Sequence, residues 1–216
     1  MRALGRFGAW WQSVRRKGRS SRHAATDPGD ALFDAQMAAL DAALPARINV
    51  VGNARSLLDA AHGPRIDAAA TIRFNASATD RPESRGTRWD FVATSHGAAL
   101  DHWSQGTPPF HTLLFTPYFD LHLPVIARYA ATPVLTCPMR LSIELTRKLG
   151  ARPTTGAQIL WMLHRLRGRE VEVFGFDWKT TLTQGHARRR RDVHDHARER
   201  QVIGALIAGN GWRLNR

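Results

Sequence analysis

Short, β-branched apolar runs alternate along this chain with stretches of helical spacing, and that alternation constrains the fold more than any other feature. Arg47–Val51 is the first such run, followed by Ala70–Asn75, Trp89–Thr94, His111–Thr116, Pro133–Cys137 and Glu170–Phe176. Ahead of them, Leu32, Phe33, Met37, Leu40 and Leu44 recur on one helical face from Ala31 to Leu44, and Pro45 ends it. Helices are also expected over Ser56–Ala61, broken by His62-Gly63-Pro64, and over Leu123–Tyr129. Met139–Leu149 should be helical with Gly150 as its C-cap, and so should the apolar stretch to Leu166 and the closing Glu199–Leu206. Residues 76–88 read as a surface loop whose Arg81, Arg85 and Arg88 are solvated charge. Strand–helix–strand repetition favours parallel pairing, so the fold class is α/β: a mostly parallel central sheet with helices on both faces.

The runs end in polar residues. Val50-Val51 stops at Gly52-Asn53, Ile72-Arg73-Phe74 stops at Asn75, and Phe91-Val92-Ala93 stops at Thr94-Ser95-His96. In an open α/β sheet ligands bind outside the carboxyl ends of the strands, so Asn53, Asn75 and Thr94 are candidate binding residues. Plain turn chemistry accounts for a Gly-Asn pair equally well. A second stretch, Arg152-Pro153-Thr154-Thr155-Gly156, opens an apolar helix. A helix N-terminus offers free N–H groups and partial positive charge to a phosphate or carboxylate, and Gly156 would admit a ligand close to the backbone. Simple N-capping by Thr is the competing reading. The stretch is no Walker loop, and Gly52-Asn53-Ala54-Arg55 is no dinucleotide fingerprint.

Charge narrows the partners. The formal net charge is +13, which favours nucleic acid, acidic lipid or a phosphorylated small molecule. Residues 1–26 contain no acidic residue, and they carry Phe7, Trp10, Trp11 and Val14 at helical spacing. They form either an amphipathic segment on an anionic membrane surface or a basic tail. Residues 1–30 are therefore set apart as a basic segment and linker, and residues 31–216 as the domain. The run Arg188–Arg191 lacks the aromatic interleaving of a nucleic-acid patch, so no nucleic-acid partner is expected. His186, His194, Asp195 and His196 lack the i, i+4 spacing of a zinc helix, so no metal is expected either. The single cysteine, Cys137, reads as a small core residue in a reducing compartment.

Taken together, these stretches resemble the sialyltransferases of glycosyltransferase family 29. The long sialylmotif corresponds to Val50-Val51-Gly52-Asn53 through Arg73-Phe74-Asn75, and the short one to Pro153-Thr154-Thr155-Gly156 through Phe174-Gly175-Phe176. The very short motif corresponds to His194 and Glu199. The resemblance runs from Arg47 to Glu199 and implies a single Rossmann-like domain of the GT-A-variant type. It implies a metal-independent, inverting transfer of a sialic acid or related keto-acid sugar from a CMP-sugar donor to a glycan acceptor, with no cofactor. Asn53 and Asn75 would then meet the CMP moiety. Gly52, Thr94, Thr154, Thr155, Gly156 and Glu199 would complete the donor site. His194 would be the general base, and His186 would donate to the leaving phosphate. The cysteines that animal members join as a disulfide are missing, and no signal-anchor helix is seen. The resemblance therefore implies a minimal, bacterial-type cytoplasmic relative acting on a cell-envelope glycan, peripheral at the inner face of the membrane through residues 1–26. The rival reading is a basic nucleic-acid- or membrane-binding α/β module without catalysis.

Overall fold

A computed structural model describes residues 28–75, 77, 79–95, 112–116, 133–180 and 193–215. By internal contacts the chain divides into two units, 1–31 and 32–216, and the account below concerns the second. Among the described residues one sheet holds seven strands: β1 (Arg47–Val51), β2 (Ala70–Phe74), β3 (Phe91–Thr94), β4 (Thr112–Phe115), β5 (Val134–Thr136), β6 (Glu170–Phe174) and β7 (Arg213–Asn215). Their spatial order is β5-β4-β3-β2-β1-β6-β7, and every pairing is parallel. The helices are α1 (Pro28–Ala43), α2 (Gly63–Asp67), α3 (Pro82–Arg85), α4 (Met139–Leu149), α5 (Thr155–Leu166) and α6 (His196–Gly209). None of them is long and apolar enough to cross a membrane.

The two faces of the sheet differ. Successive side chains on a strand point to opposite faces. Ile48 and Val50, Ile72 and Phe74, Phe91 and Ala93, and Val171 and Val173 share one continuous core with α4, α5 and α6 and with Leu40 and Leu44. The alternate residues include Asn49, Thr71, Arg73, Thr94 and Glu172, all buried, beside the small cluster Val51, Leu57, Ile66 and Phe174. Parallel strands are usually apolar on both faces, so these polar groups need internal partners. Asn49 Nδ2 donates to the carbonyls of Arg65 and Ile66 at 2.9 and 2.8 Å, satisfying the end of α2. Arg73 is fully buried, donates to the carbonyls of Arg88 and Arg85, and stacks 5.2 Å from the Trp89 ring. Burial lowers its pKa to about 10, against the opposing charge of Asp67.

Several expectations need correction here. Ser56–Ala61 is a 3-10 turn, Arg55–Asp59. His62-Gly63-Pro64 starts α2 rather than breaking a helix, because proline fits the first turn, where its missing N–H is not needed. Residues 76–88 contain α3, and Arg85 is buried and paired with Asp80 instead of solvated. The third strand begins at Phe91, and Trp89 before it lies under Arg73. The last helix runs from His196 to Gly209, and β7 beyond it was not anticipated. Cys137 is a core residue beside Met162, and burial raises its pKa to about 12. The expected helix over Leu123–Tyr129 lies outside the described residues.

Arg169 fastens two helix ends. Its guanidinium is nearly buried, donates to the carbonyls of Asp41 and Leu44 at the end of α1, and also donates to those of Leu166 and Arg167 at the end of α5. A cation at a helix C-terminus satisfies carbonyls that have no intrahelical partner. Arg169→Ala is expected to cost about 1–2 kcal/mol of stability in a urea titration, because four helix-end carbonyls, those of Leu44 and Leu166 part-buried, lose their donor. Lysine, lacking the planar fork, should recover only part of it.

Candidate active site

In an all-parallel sheet every strand delivers its carboxyl end to the same edge, and the strand order reverses between β1 and β6. Loops leaving those two neighbours meet there. Gly52 N donates to the Phe174 carbonyl at 2.7 Å, and Ala54 N donates to that of Gly175 at 3.2 Å. A Cβ on Gly52 would lie 2.3 Å from Gly175 O and 2.9 Å from the Phe176 ring, so only glycine fits. Gly175 itself turns with φ of +64°.

The two asparagines stand on adjacent strand ends. Asn53 Nδ2 donates to the Phe74 carbonyl at 2.9 Å, while its Oδ1 is buried without a hydrogen-bond partner among the described residues. Asn75 follows immediately, held at φ of +52°, a left-handed conformation that asparagine tolerates. Its N–H donates to the Ala93 carbonyl, and its Oδ1 accepts from Thr94 Oγ1 at 3.0 Å. Thr94 is fully buried at the end of β3. Next to it Ser95 Oγ accepts from Thr155 Oγ1 at 3.1 Å, which links the sheet edge to the start of α5. Ser95 thus belongs to the site, although sequence reasoning noted it only as one of several polar residues.

The start of α5 is capped by Thr154, whose Oγ1 accepts from Ala157 N at 3.1 Å. The same hydroxyl donates to Glu199 Oε1 at 2.7 Å, and Thr154 N donates to Glu199 Oε2 at 3.0 Å. Glu199, 5% exposed, therefore has both oxygens on Thr154, which places it behind the turn. Gly156 also differs from expectation. The space where its Cβ would project holds the Phe176 ring, 2.7 Å from that position, rather than an open approach for a ligand. Phe176 packs edge-on to Phe74 as well, so one ring joins β2, β6 and α5. The N–H groups of Thr155 and Gly156 have no partner among the described residues.

His194 stands two residues before α6. Its Nδ1 lies 2.7 Å from the Arg152 carbonyl oxygen. A carbonyl only accepts, so Nδ1 carries the proton, and in the neutral ring the lone pair is on Nε2. The fold thus gathers Gly52, Asn53, Asn75, Thr94, Thr154, Thr155, Gly156, His194 and Glu199 along one edge of the sheet and the helix turn beside it. His186, His96 and Arg188–Arg191 lie outside the described residues. Among the described residues no group of His, Cys, Asp and Glu is arranged to hold a metal ion. A separate concavity of about 480 Å³ opens at the opposite edge, near Pro45, Ala70 and Phe91, where Arg47 and Arg88 are already paired with Glu170 and Asp90.

No protein-family model matches the sequence, and no curated protein is similar to it. Solved structures are. A mammalian sialyltransferase in complex with Gal-beta-1-3GalNAc-ortho-nitrophenol superposes with a TM-score of 0.62 at 17% identity, over 98% of this chain and 85% of that one. The fold is that of the sialyltransferases. The Campylobacter jejuni enzyme CstII, in complex with the substrate analogue CMP-3FNeuAc, matches with a TM-score of 0.52 at 12% identity, over 79% of this chain and 80% of its own. The monofunctional alpha-2,3-sialyltransferase Cst-I from the same organism gives 0.56 at 10% identity, over 78% and 74%. The sialyltransferase fold accounts for the single Rossmann-like, parallel α/β architecture. At such identities the roles of individual side chains rest on the local geometry above.

Proposed function

We propose that this chain is a CMP-sugar-dependent glycosyltransferase that moves a sialic acid or related keto-acid sugar onto a glycan acceptor with inversion. The observation that carries the reading is His194, whose Nδ1–H donates to the carbonyl of Arg152 just ahead of the turn that opens α5, so that Nε2 is the basic atom of the neutral ring. In this reaction the acceptor hydroxyl attacks the anomeric carbon, its proton passes to His194 Nε2, and the bond to the CMP phosphate breaks. The donor already has a good leaving group, so a base of near-neutral pKa is the main chemical need, and imidazole supplies it. The departing phosphate would be met by the N–H groups of Thr155 and Gly156 at the positive end of α5, with His186 as a further donor. Asn53 Oδ1, buried and without a partner among the described residues, would accept from the nucleoside. No resident cofactor or metal enters the scheme. Residues 1–26 would rest against an anionic membrane face on the cytoplasmic side.

Calorimetric titration with CMP, UMP, NAD and a short DNA duplex tests this against the rival of a basic binding module. Selective CMP binding in the micromolar range is expected. DNA binding with a steep salt slope and no response to CMP would reverse the choice.

A further inference from the structure

Residues 194–199 grip the turn before α5 at two points. His194 holds the carbonyl of Arg152 from one side. Two residues beyond Arg152, Thr154 gives both its N–H and its hydroxyl to Glu199. Buried Pro153 lies between. The gripping segment is itself fixed, because Asp195 Oδ1 accepts from Arg198 N at 2.9 Å and caps α6.

Glu199 is an unusual choice for a mere packing residue. It is buried, and among the described residues its oxygens meet two neutral donors rather than a cation. Burying a carboxylate is costly unless several bonds satisfy it. The two Thr154 donors meet separate oxygens, and a carboxylate supplies both while an amide of equal length would turn its NH2 group toward one of those donors. The charge also sits at the positive end of α5, which favours it.

Resting on the functional reading above, we propose that Glu199 is a positioning residue. It sets the register between the turn Thr154–Gly156, which would hold the donor, and His194, which would take the acceptor's proton. It acts through Thr154 and touches no substrate. Both grips come from one short segment, so loosening Glu199 shifts donor wall and base relative to each other.

The test uses the full chain with Glu199→Gln, Thr154→Val and the double variant. NMR of the His194 ring nitrogens reads the register without any ligand. Glu199→Gln is expected to shift those signals and to speed amide exchange at Thr154. With CMP and a CMP-sugar, it should raise the CMP dissociation constant about tenfold and lower kcat by about 30- to 100-fold, the scale of a displacement near 1 Å. The double variant should be no worse than Glu199→Gln alone, since both act through one contact. Unchanged His194 signals, a lower Tm with wild-type kcat, or losses that multiply would each overturn the proposal. Should Glu199→Gln fail to fold, Thr154→Val decides: wild-type His194 signals and wild-type kcat in that variant overturn it. Shifted His194 signals in a protein whose wild type ignores CMP would refute the functional reading and leave the positioning role standing.

Discussion

Replacing His194 by alanine is expected to leave CMP binding within about twofold of wild type and to lower kcat by about 10²–10⁴-fold, the range for loss of a general base. The reason is the division of labour in the geometry. His194 meets the segment before α5 at the Arg152 carbonyl, whereas the asparagine edge and the start of α5 are also held by bonds of their own, Asn53 to Phe74 and Thr155 to Ser95. Removing the ring takes away the proposed proton acceptor and leaves Glu199 on Thr154. Steady-state kinetics with a CMP-sugar and a panel of glycan acceptors, beside calorimetry with CMP, separates the two effects. Weaker CMP binding with unchanged turnover at saturation would remove His194 from the role of base.

The second large effect is expected at Gly52. Alanine there would place a methyl group 2.3 Å from a backbone oxygen, that of Gly175. That oxygen cannot retreat cheaply, because it accepts from Ala54 N, and the preceding carbonyl accepts from Gly52 N. The Phe176 ring closes the remaining side. A loss of about 3 kcal/mol or more in unfolding free energy follows from overpacking against fixed backbone. CMP binding should fall with it, since Asn53 is the next residue. Gly156→Ala is the contrast. Its added methyl would meet the edge of the Phe176 ring, which can tilt, so a smaller loss is expected there. Chemical denaturation of the two variants side by side measures the difference. A Gly52→Ala protein with wild-type stability and CMP affinity would show that the two loops are not packed as described.

Much of the architecture was readable because it depends on local pattern. Runs such as Ile48–Val51 and Val171–Phe174 show as strands because Ile48, Val50, Val171 and Val173 fall on one covered face, and the helical stretches between them force crossovers. What escaped the reading depends on partners far along the chain. Gly63-Pro64 looks like a helix breaker, yet Gly63 is needed because a Cβ there would lie 1.8 Å from Pro82 O, and the proline then begins α2. Arg85 looks like surface charge until Asp80 pairs with it. Strand β7, three residues long, is too short to show a period.

The candidate site divides in the same way. Its residue types stood out as polar punctuation at strand and helix ends, and the family resemblance tied them together. Their assignments did not follow so directly. Nothing in the sequence says that the acceptor for His194 Nδ1 is a main-chain oxygen, or that Glu199 would lie behind Thr154 rather than in front of it. Phe176, the ring against which both Gly52 and Gly156 are fitted, was quoted only as the end of a motif.

The placement of β6 beside β1 carries a consequence for synthesis of the chain. Strand β1 emerges early, pairs with β2, and then waits with its other edge bare until Glu170–Phe174 arrives. An open edge beside apolar Ile48 and Val50 invites pairing with other chains, and such distant pairings form slowly. The same late segment brings Gly175 and Phe176, and His194 comes later still. A nascent chain released before β6 would therefore be prone to aggregate and would lack His194 altogether. Completion of the sheet and arrival of the proposed base thus fall at the same end of translation.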